Sequence, residues 1–237
     1  MLLYVIRHAE PLYDPDELTP LGARQAEALG RRLALHGIDE IYSSPLGRAR
    51  QTAQPACELL HKQAEILDWT SEALAFEQLS KPDPERGGRL KWAIYCPRSE
   101  FRTPENLALG DEWYKAKQLE GTRAKECWER IGRESDAFLE KFGYLHEGNK
   151  YRCAAHNEKR VAVFCHHGFG TTWLAYLLGI SPILFWTSFD IAHSSVTLLR
   201  FEPEQNGYCL PGCLMMSDLS HIYADGLPMK YSGIIDF

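Results

Sequence analysis

Two apolar runs of five residues, Leu2 to Ile6 and Val161 to Cys165, each end abruptly in a basic, histidine-bearing loop: Arg7-His8 after the first, His166-His167 after the second. An unbroken apolar run of that length marks a strand buried on both faces, as in a parallel sheet covered by helices. Polar loops at strand ends are where such sheets place their ligands, in a crevice beyond the carboxyl ends of the strands. The two histidine loops are therefore expected to face one crevice.

The spacing between these runs supports the same architecture. Thr19-Pro20 reads as a cap and first helical residue, and Ala26, Leu29 and Leu33 follow on one face, so a helix is expected from Thr19 to Leu35. Ile38 to Tyr42 reads as a second strand, and Ser44-Pro45 as the cap of a second helix with Ala49, Ala53, Ala56 and Leu60 as its buried stripe. From about residue 70 to 110 no period is legible, and Lys81-Pro82-Asp83-Pro84 and Arg86-Gly87-Gly88-Arg89 read as loop. Helical spacing returns from Asp111 to Phe142 with Gly143 as its stop, and Gly148 to Arg160 reads as a polar loop. A helix bearing Trp173, Leu174, Leu177 and Leu178 ends at Gly179, and Val196 to Phe201 reads as the last strand. No repeat or linker divides the chain, so one α/β domain over residues 1–237 is expected, with an insertion or lid at about 73–159.

Composition excludes several classes of function. The 237 residues are 45% hydrophobic and 24% charged, which is ordinary for a globular chain that buries a core without disulfides. A net charge of -6 lacks the basic footprint of a nucleic-acid or anionic-membrane partner. The apolar runs are far short of a bilayer span, and the N-terminus opens directly into a strand, so no signal peptide is expected. The seven cysteines are an odd number, and the close pair Cys209 and Cys213 has no further ligand at zinc-site spacing. A reduced, cytoplasmic protein with buried thiols and no metal is expected.

Arg48 lies in the first turn of the second helix, where a guanidinium joins free backbone N–H groups at a positive helix end. Taken singly, a strand-end histidine or an exposed helix arginine is an ordinary structural residue. Two arginines and two or more histidines converging on one crevice point to a phosphoryl group.

The segments Arg7-His8-Ala9-Glu10, Leu18-Thr19-Pro20-Leu21-Gly22-Ala23-Arg24-Gln25-Ala26 and Ser43-Ser44-Pro45-Leu46-Gly47-Arg48-Ala49-Arg50-Gln51-Thr52-Ala53 resemble the histidine phosphatase (phosphoglycerate mutase-like) superfamily. The strand Val161 to Cys165 followed by His-His-Gly is similar to the second half of that family's pattern. The resemblance covers residues 1 to 72 and 160 to 201 and fades between them. It implies a three-layer α/β/α sandwich around a mostly parallel sheet.

The resemblance also implies a chemistry. His8 would be the nucleophile that becomes a transient phosphohistidine, while Arg7, Arg48 and the second loop histidine hold the phosphoryl oxygens; no metal or other cofactor is implied. In the family, the second histidine stands thirteen residues before the glycine that ends the following helix, which selects His166 when counted from Gly179. His167 then replaces a family glycine, and Gly168 takes the next glycine position. In many members the leaving group's proton comes from a glutamate about 24 residues past the arginine, which falls on Glu72, with Glu77 as competitor. Mutases of the family carry Trp-Asn where Tyr13-Asp14 stands here, and a carboxylate there would repel a second anionic group. Lys81, Arg86, Arg89, Lys91, Arg98 and Arg102, against Asp83, Glu85 and Glu100, read either as a basic lid over an anionic substrate or, more commonly for such a stretch, as a solvated surface loop. The expected function is metal-independent hydrolysis of a small phosphomonoester. A bisphosphoglycerate-dependent mutase and a catalytically silent phospho-ligand binder are the alternatives. The sequence does not address the oligomeric state.

Overall fold

A computed structural model describes residues 1–231 and 235–236, with side chains at all of these except Arg86 and the residues from Lys230 onward. The two apolar runs are strands β1 (Leu2–Arg7) and β4 (Arg160–Cys165), adjacent and parallel, in a register that sets Arg7 opposite Cys165. With β2 (Glu40–Ser43), β3 (Ala64–Ile66), β5 (Val196–Arg200) and β6 (Gly212–Asp218) they form a sheet of order β6-β5-β1-β4-β2-β3. Strands β1, β4, β2 and β3 run parallel, and β5 is antiparallel to both β1 and β6.

Alternation along β1 and β4 feeds two cores, which makes the sheet the middle of three layers. Tyr4, Ile6, Ala162 and Phe164 meet Leu29 and Leu33 of α1 (Pro20–His36) and Ala53 and Ala56 of α2 (Gly47–Leu60). Leu3, Val5, Val161 and Val163 face the other way. There they meet Ile131 and Phe138 of α4 (Ala124–Glu140) and Phe169 and Trp173 of α5 (His167–Leu178). Helix α1 starts as expected, with Pro20 in the first turn and the Thr19 hydroxyl accepting from the Gly22 N–H at 2.9 Å.

The middle of the chain departs from the sequence reading. The stretch without a legible period holds α3 (Glu72–Leu79), and the segments expected to be loop take part in a hairpin of Ser80–Asp83 with Arg89–Trp92. Each piece is too short for a period to show, and in α3 Ala75 and Leu79 are the buried residues. The helix expected from Asp111 spans Ala124–Glu140, and the residues before it form two short 3-10 turns. The expected polar loop after Gly148 contains a strand, Lys150–Cys153, paired with Tyr144–Glu147 and with Tyr208–Cys209. Val196–Arg200 is not the last strand of the main sheet, because the largely exposed β6 pairs outside it. The apolar run of β6, Cys213 to Met216, is one residue shorter than those of β1 and β4 and is bounded by Gly212 and Ser217.

The seven cysteines are unbonded to one another. Among the described residues no helix is long and apolar enough to cross a membrane, and no group of His, Cys, Asp and Glu side chains is arranged to hold a metal ion.

Candidate active site

The register that places Arg7 opposite Cys165 makes His8 and His166 neighbours at the carboxyl ends of two adjacent strands. The pairing of Phe164 with Ser43 adds Ser44, at the end of β2, on the other side of His166. Three parallel strands thus deliver residues from distant parts of the chain to one edge.

The His8 backbone is fixed by its N–H donating to the Cys165 carbonyl (2.9 Å) and its carbonyl accepting from Ser194 (3.0 Å). Its ring is 2% exposed, and Nδ1 lies 2.8 Å from the Ala9 carbonyl. A carbonyl only accepts, so Nδ1 carries the proton and Nε2 keeps its lone pair. Burial, reinforced by His166 and Arg7, pushes the His8 ring well below the ordinary histidine range, so it is uncharged at neutral pH. Burial, Arg48 and Arg7 do the same to His166, whose ring centroid lies 5.1 Å from that of His8.

The adjacent histidines diverge. His166 is fully buried, with Nε2 at 2.7 Å from the Ser44 hydroxyl and Nδ1 without a hydrogen-bond partner. His167 begins α5 and has both ring nitrogens engaged: Nε2 donates to the Asp190 carboxylate (2.5 Å), and the Tyr95 hydroxyl lies 2.6 Å from Nδ1. Burial raises the Asp190 carboxyl, but the bond and charge of His167, with Arg7, outweigh it and hold the group below its usual range.

Arg7, His8, Arg48, Glu72 and His167 line one cavity of about 1050 Å³, and His166 stands behind its wall against His8. Arg7 donates through Nη1 to the Ile191 carbonyl (2.7 Å) and through Nη2 to His193 Nε2 (2.6 Å). Glu72 opens α3 and reaches the start of α5, where its two oxygens accept from the N–H groups of Gly168 and Phe169, both at 2.8 Å. Gly168 has no room for a side chain. A Cβ there would lie 2.5 Å from the Trp92 ring and 3.1 Å from Glu72 Oε1. Glu77 is exposed and pairs with Arg123 at 2.6 Å, away from the cavity.

Ser44 does not cap α2. Its backbone continues the line of β2, donating to the Phe164 carbonyl (2.9 Å), and the helix begins at Gly47. The cap comes from Asp16, which the sequence reading missed. Its carboxylate accepts from the Gly47 N–H and from Arg48 Nη1, both at 2.6 Å. Asp14, read from sequence as the intruding carboxylate, is exposed and outside the cavity wall, which Asp16 joins instead. Asp190 and His193, also missed, arrive on the loop that enters β5. A histidine just before a strand antiparallel to β1 is the signal that would have found them.

The expected basic lid is mostly turned elsewhere. Lys81 donates to the Gln118 carbonyl (2.8 Å), Lys91 pairs with Asp83 (3.1 Å), and Arg102 donates to Thr187 (2.7 Å). Arg89 is exposed and off the cavity, and the Arg86 side chain lies outside the described residues. Of the rest, Arg98 reaches the cavity wall, at an exposed position.

Residues 3–87 match the family model of the histidine phosphatase superfamily (branch 1). The chain is 27% identical over 223 residues to a 2-carboxy-D-arabinitol-1-phosphatase of Triticum aestivum, covering 89% of this chain and 39% of that one, so it spans about two fifths of that relative's length. It is 26% identical over 223 residues to phosphoserine phosphatase 1 of Hydrogenobacter thermophilus, covering 86% and 88% of the two chains. The fold is similar to a phosphoserine phosphatase variant of Entamoeba histolytica solved with phosphoserine, at a TM-score of 0.61 and 18% identity over 93% of this chain and 98% of that one. A mycobacterial glucosyl-3-phosphoglycerate phosphatase also has a TM-score of 0.61, at 16% identity over 91% and 98% of the two chains.

Proposed function

We propose that this chain, which belongs to the histidine phosphatase superfamily, hydrolyses a phosphomonoester through a phosphohistidine on His8, without a metal, as one catalytic unit over residues 1–237. The observation that carries the reading is the state of His8. It is buried and uncharged, with its Nδ1 proton committed to the Ala9 carbonyl and its Nε2 lone pair left for attack. A nucleophile needs that tautomer and that charge.

In the first step His8 Nε2 attacks phosphorus, the bond from phosphorus to the ester oxygen breaks, and the departing oxygen takes a proton from Glu72. In the second, water attacks phosphorus and gives its proton to Glu72, the bond from phosphorus to His8 Nε2 breaks with its electron pair returning to the nitrogen, and inorganic phosphate leaves. Arg7, Arg48 and His166 stabilise the charge that spreads over the phosphoryl oxygens. The two guanidiniums supply the positive charge that a divalent cation provides in other phosphatases. His166 rather than His167 is assigned to the phosphoryl group, because its ring adjoins His8 while the nitrogens of His167 are engaged by Tyr95 and Asp190.

Hydrolysis is preferred to the mutase reaction on the charge of the wall. A mutase holds a second anionic group in the same pocket, and beside Arg98 this wall carries Asp16, Glu72 and Asp190. Brief incubation with radiolabelled phosphomonoester, quenched without acid, is expected to trap an acid-labile, alkali-stable label that His8→Ala does not acquire. Turnover that persists in EDTA supports the metal-free mechanism, and loss restored by zinc refutes it. Absence of turnover with binding retained identifies a silent phospho-ligand binder.

A further inference from the structure

We infer that the alcohol half of the substrate is uncharged and carries a flat ring. This inference rests on the phosphomonoesterase reading of the same site. Six aromatic residues line the cavity: Tyr13, Phe76, Trp92, Tyr95, Trp186 and Phe189. Its volume of about 1050 Å³ suits a ligand much larger than a phosphoryl group with a three-carbon acid attached.

The rings are held before any ligand arrives. Phe76 meets Trp92 edge-on at 5.1 Å, Trp92 meets Tyr95 at 5.5 Å, and Tyr95 meets the His167 ring at 5.4 Å. Elsewhere in the lining, Trp186 lies against Trp113 (5.4 Å) and Phe101 (6.2 Å), and Phe189 lies 4.8 Å from Phe185. A preformed aromatic wall binds a flat apolar group without ordering itself first, and ring faces and edges favour another ring.

The charges in the wall disfavour an acidic leaving group. A carboxylate on the alcohol half needs a cation or converging N–H donors where it is desolvated. Arg7 and Arg48 belong to the phosphoryl end, and the N–H groups of Gly168 and Phe169 are taken by Glu72. Arg98 stands at an exposed position, while Asp16 and Asp190 add negative charge. The acidic alcohols of phosphoserine and phosphoglycerate therefore find poor partners here.

The test compares kcat/KM for 2-phenylethyl phosphate, ethyl phosphate, O-phosphoserine and 3-phosphoglycerate, all of which release primary alcohols, so chemical reactivity does not dictate the ranking. Burial of a phenyl ring predicts that 2-phenylethyl phosphate exceeds ethyl phosphate by about 10- to 100-fold, with both acids below it. Phe76→Ala and Phe189→Ala are expected to shrink the phenylethyl-to-ethyl ratio several-fold. Preference for either acid, or a ratio unmoved in both variants, overturns the inference. Calorimetric binding of the same compounds to His8→Ala separates the two readings. Tightest binding of the phenylethyl ester without turnover by the wild-type protein supports the ring preference and refutes hydrolysis. Equal binding of all four esters overturns the ring preference whatever the turnover.

Discussion

Glu72→Gln separates the proposed proton donor from a structural brace, because Glu72 both lines the cavity and holds the start of α5. Its two oxygens accept from adjacent N–H groups at 2.8 Å each. An amide keeps one acceptor and turns an NH2 toward the other N–H, leaving a partly buried donor unpaired at a cost of about 1–3 kcal/mol. For a chain of this size that lowers Tm by roughly 2–12 °C, which thermal unfolding measures. The loss of proton transfer is larger, at about 100- to 10,000-fold in rate, or roughly 3–5 kcal/mol of barrier. It falls unevenly. A p-nitrophenolate departs without a proton, so phosphorylation of His8 by p-nitrophenyl phosphate survives while dephosphorylation, which needs a base for water, is slowed. Stopped-flow absorbance is therefore expected to show a burst of p-nitrophenol stoichiometric with enzyme, then slow turnover. An alkyl phosphate, whose alkoxide must be protonated as it leaves, gives no burst and loses the full factor. Equal losses for both esters with no burst would refute the acid–base role and leave Glu72 a brace for the start of α5.

His166→Ala is expected to lower kcat by about 100- to 1000-fold, as removal of an oxyanion donor does. His167→Gly, which breaks the links to Tyr95 and Asp190, is expected mainly to raise KM; steady-state kinetics of both variants check the ranking. Asp16→Asn is expected to lower the inhibition constant of inorganic phosphate several-fold, because it removes a carboxylate bonded to Arg48 at 2.6 Å; a weakened inhibition would mean that Asp16 only positions the arginine. Burial, with Arg32, pushes the His221 ring down to about 4, and His8 and His166 are also lowered, so the unfolded chain binds more protons than the folded one below the unperturbed histidine value. The associated stability is fully present above about pH 6.5 and is lost as pH falls; His221 alone accounts for about 3 kcal/mol between pH 6.5 and 4. Urea titrations across that range should show the decline, and His221→Asn should flatten it.

The residues legible in the sequence share one property: each sits at a fixed offset from a regular element. His8 and His166 follow buried strands, and Arg48 lies on the first turn of α2, so period and punctuation locate them. Asp16, on a short hairpin of Pro11–Tyr13 with Asp16–Leu18, and Asp190 and His193, on a loop, are set by how distant segments cross one another, and nothing local distinguishes Asp16 from its exposed neighbour Asp14. The Ser44 reading went astray for a related reason. Serine before proline has the composition of a cap, but its hydroxyl is taken by a histidine distant in sequence, and a carboxylate from a hairpin strand takes over the helix end. The basic stretch shows the limit of counting charge. Lys81 and Lys91 are drawn to carbonyl and carboxylate partners away from the cavity, and Arg102 is held by Thr187 in the cavity wall without lining it.

Strand β4 lies between β1 and β2 in the sheet, although in the chain it comes after both. During synthesis, β1, α1, β2, α2 and β3 leave the ribosome with a strand-wide gap where β4 belongs. The ladders that flank that gap, Leu2–Arg7 with Arg160–Cys165 and Glu40–Ser43 with Val161–Phe164, have no partner until residue 165 has emerged. Until then both edges of β1 and one edge of β2 are unpaired, since β5 follows β4 in the chain, the condition under which nascent chains recruit holdase chaperones. Insertion of β4 then fills the gap and brings His166 against His8, before β5 and β6 add to the other side of β1. A ribosome stalled before β4 holds His8 without the neighbouring strand whose end carries His166.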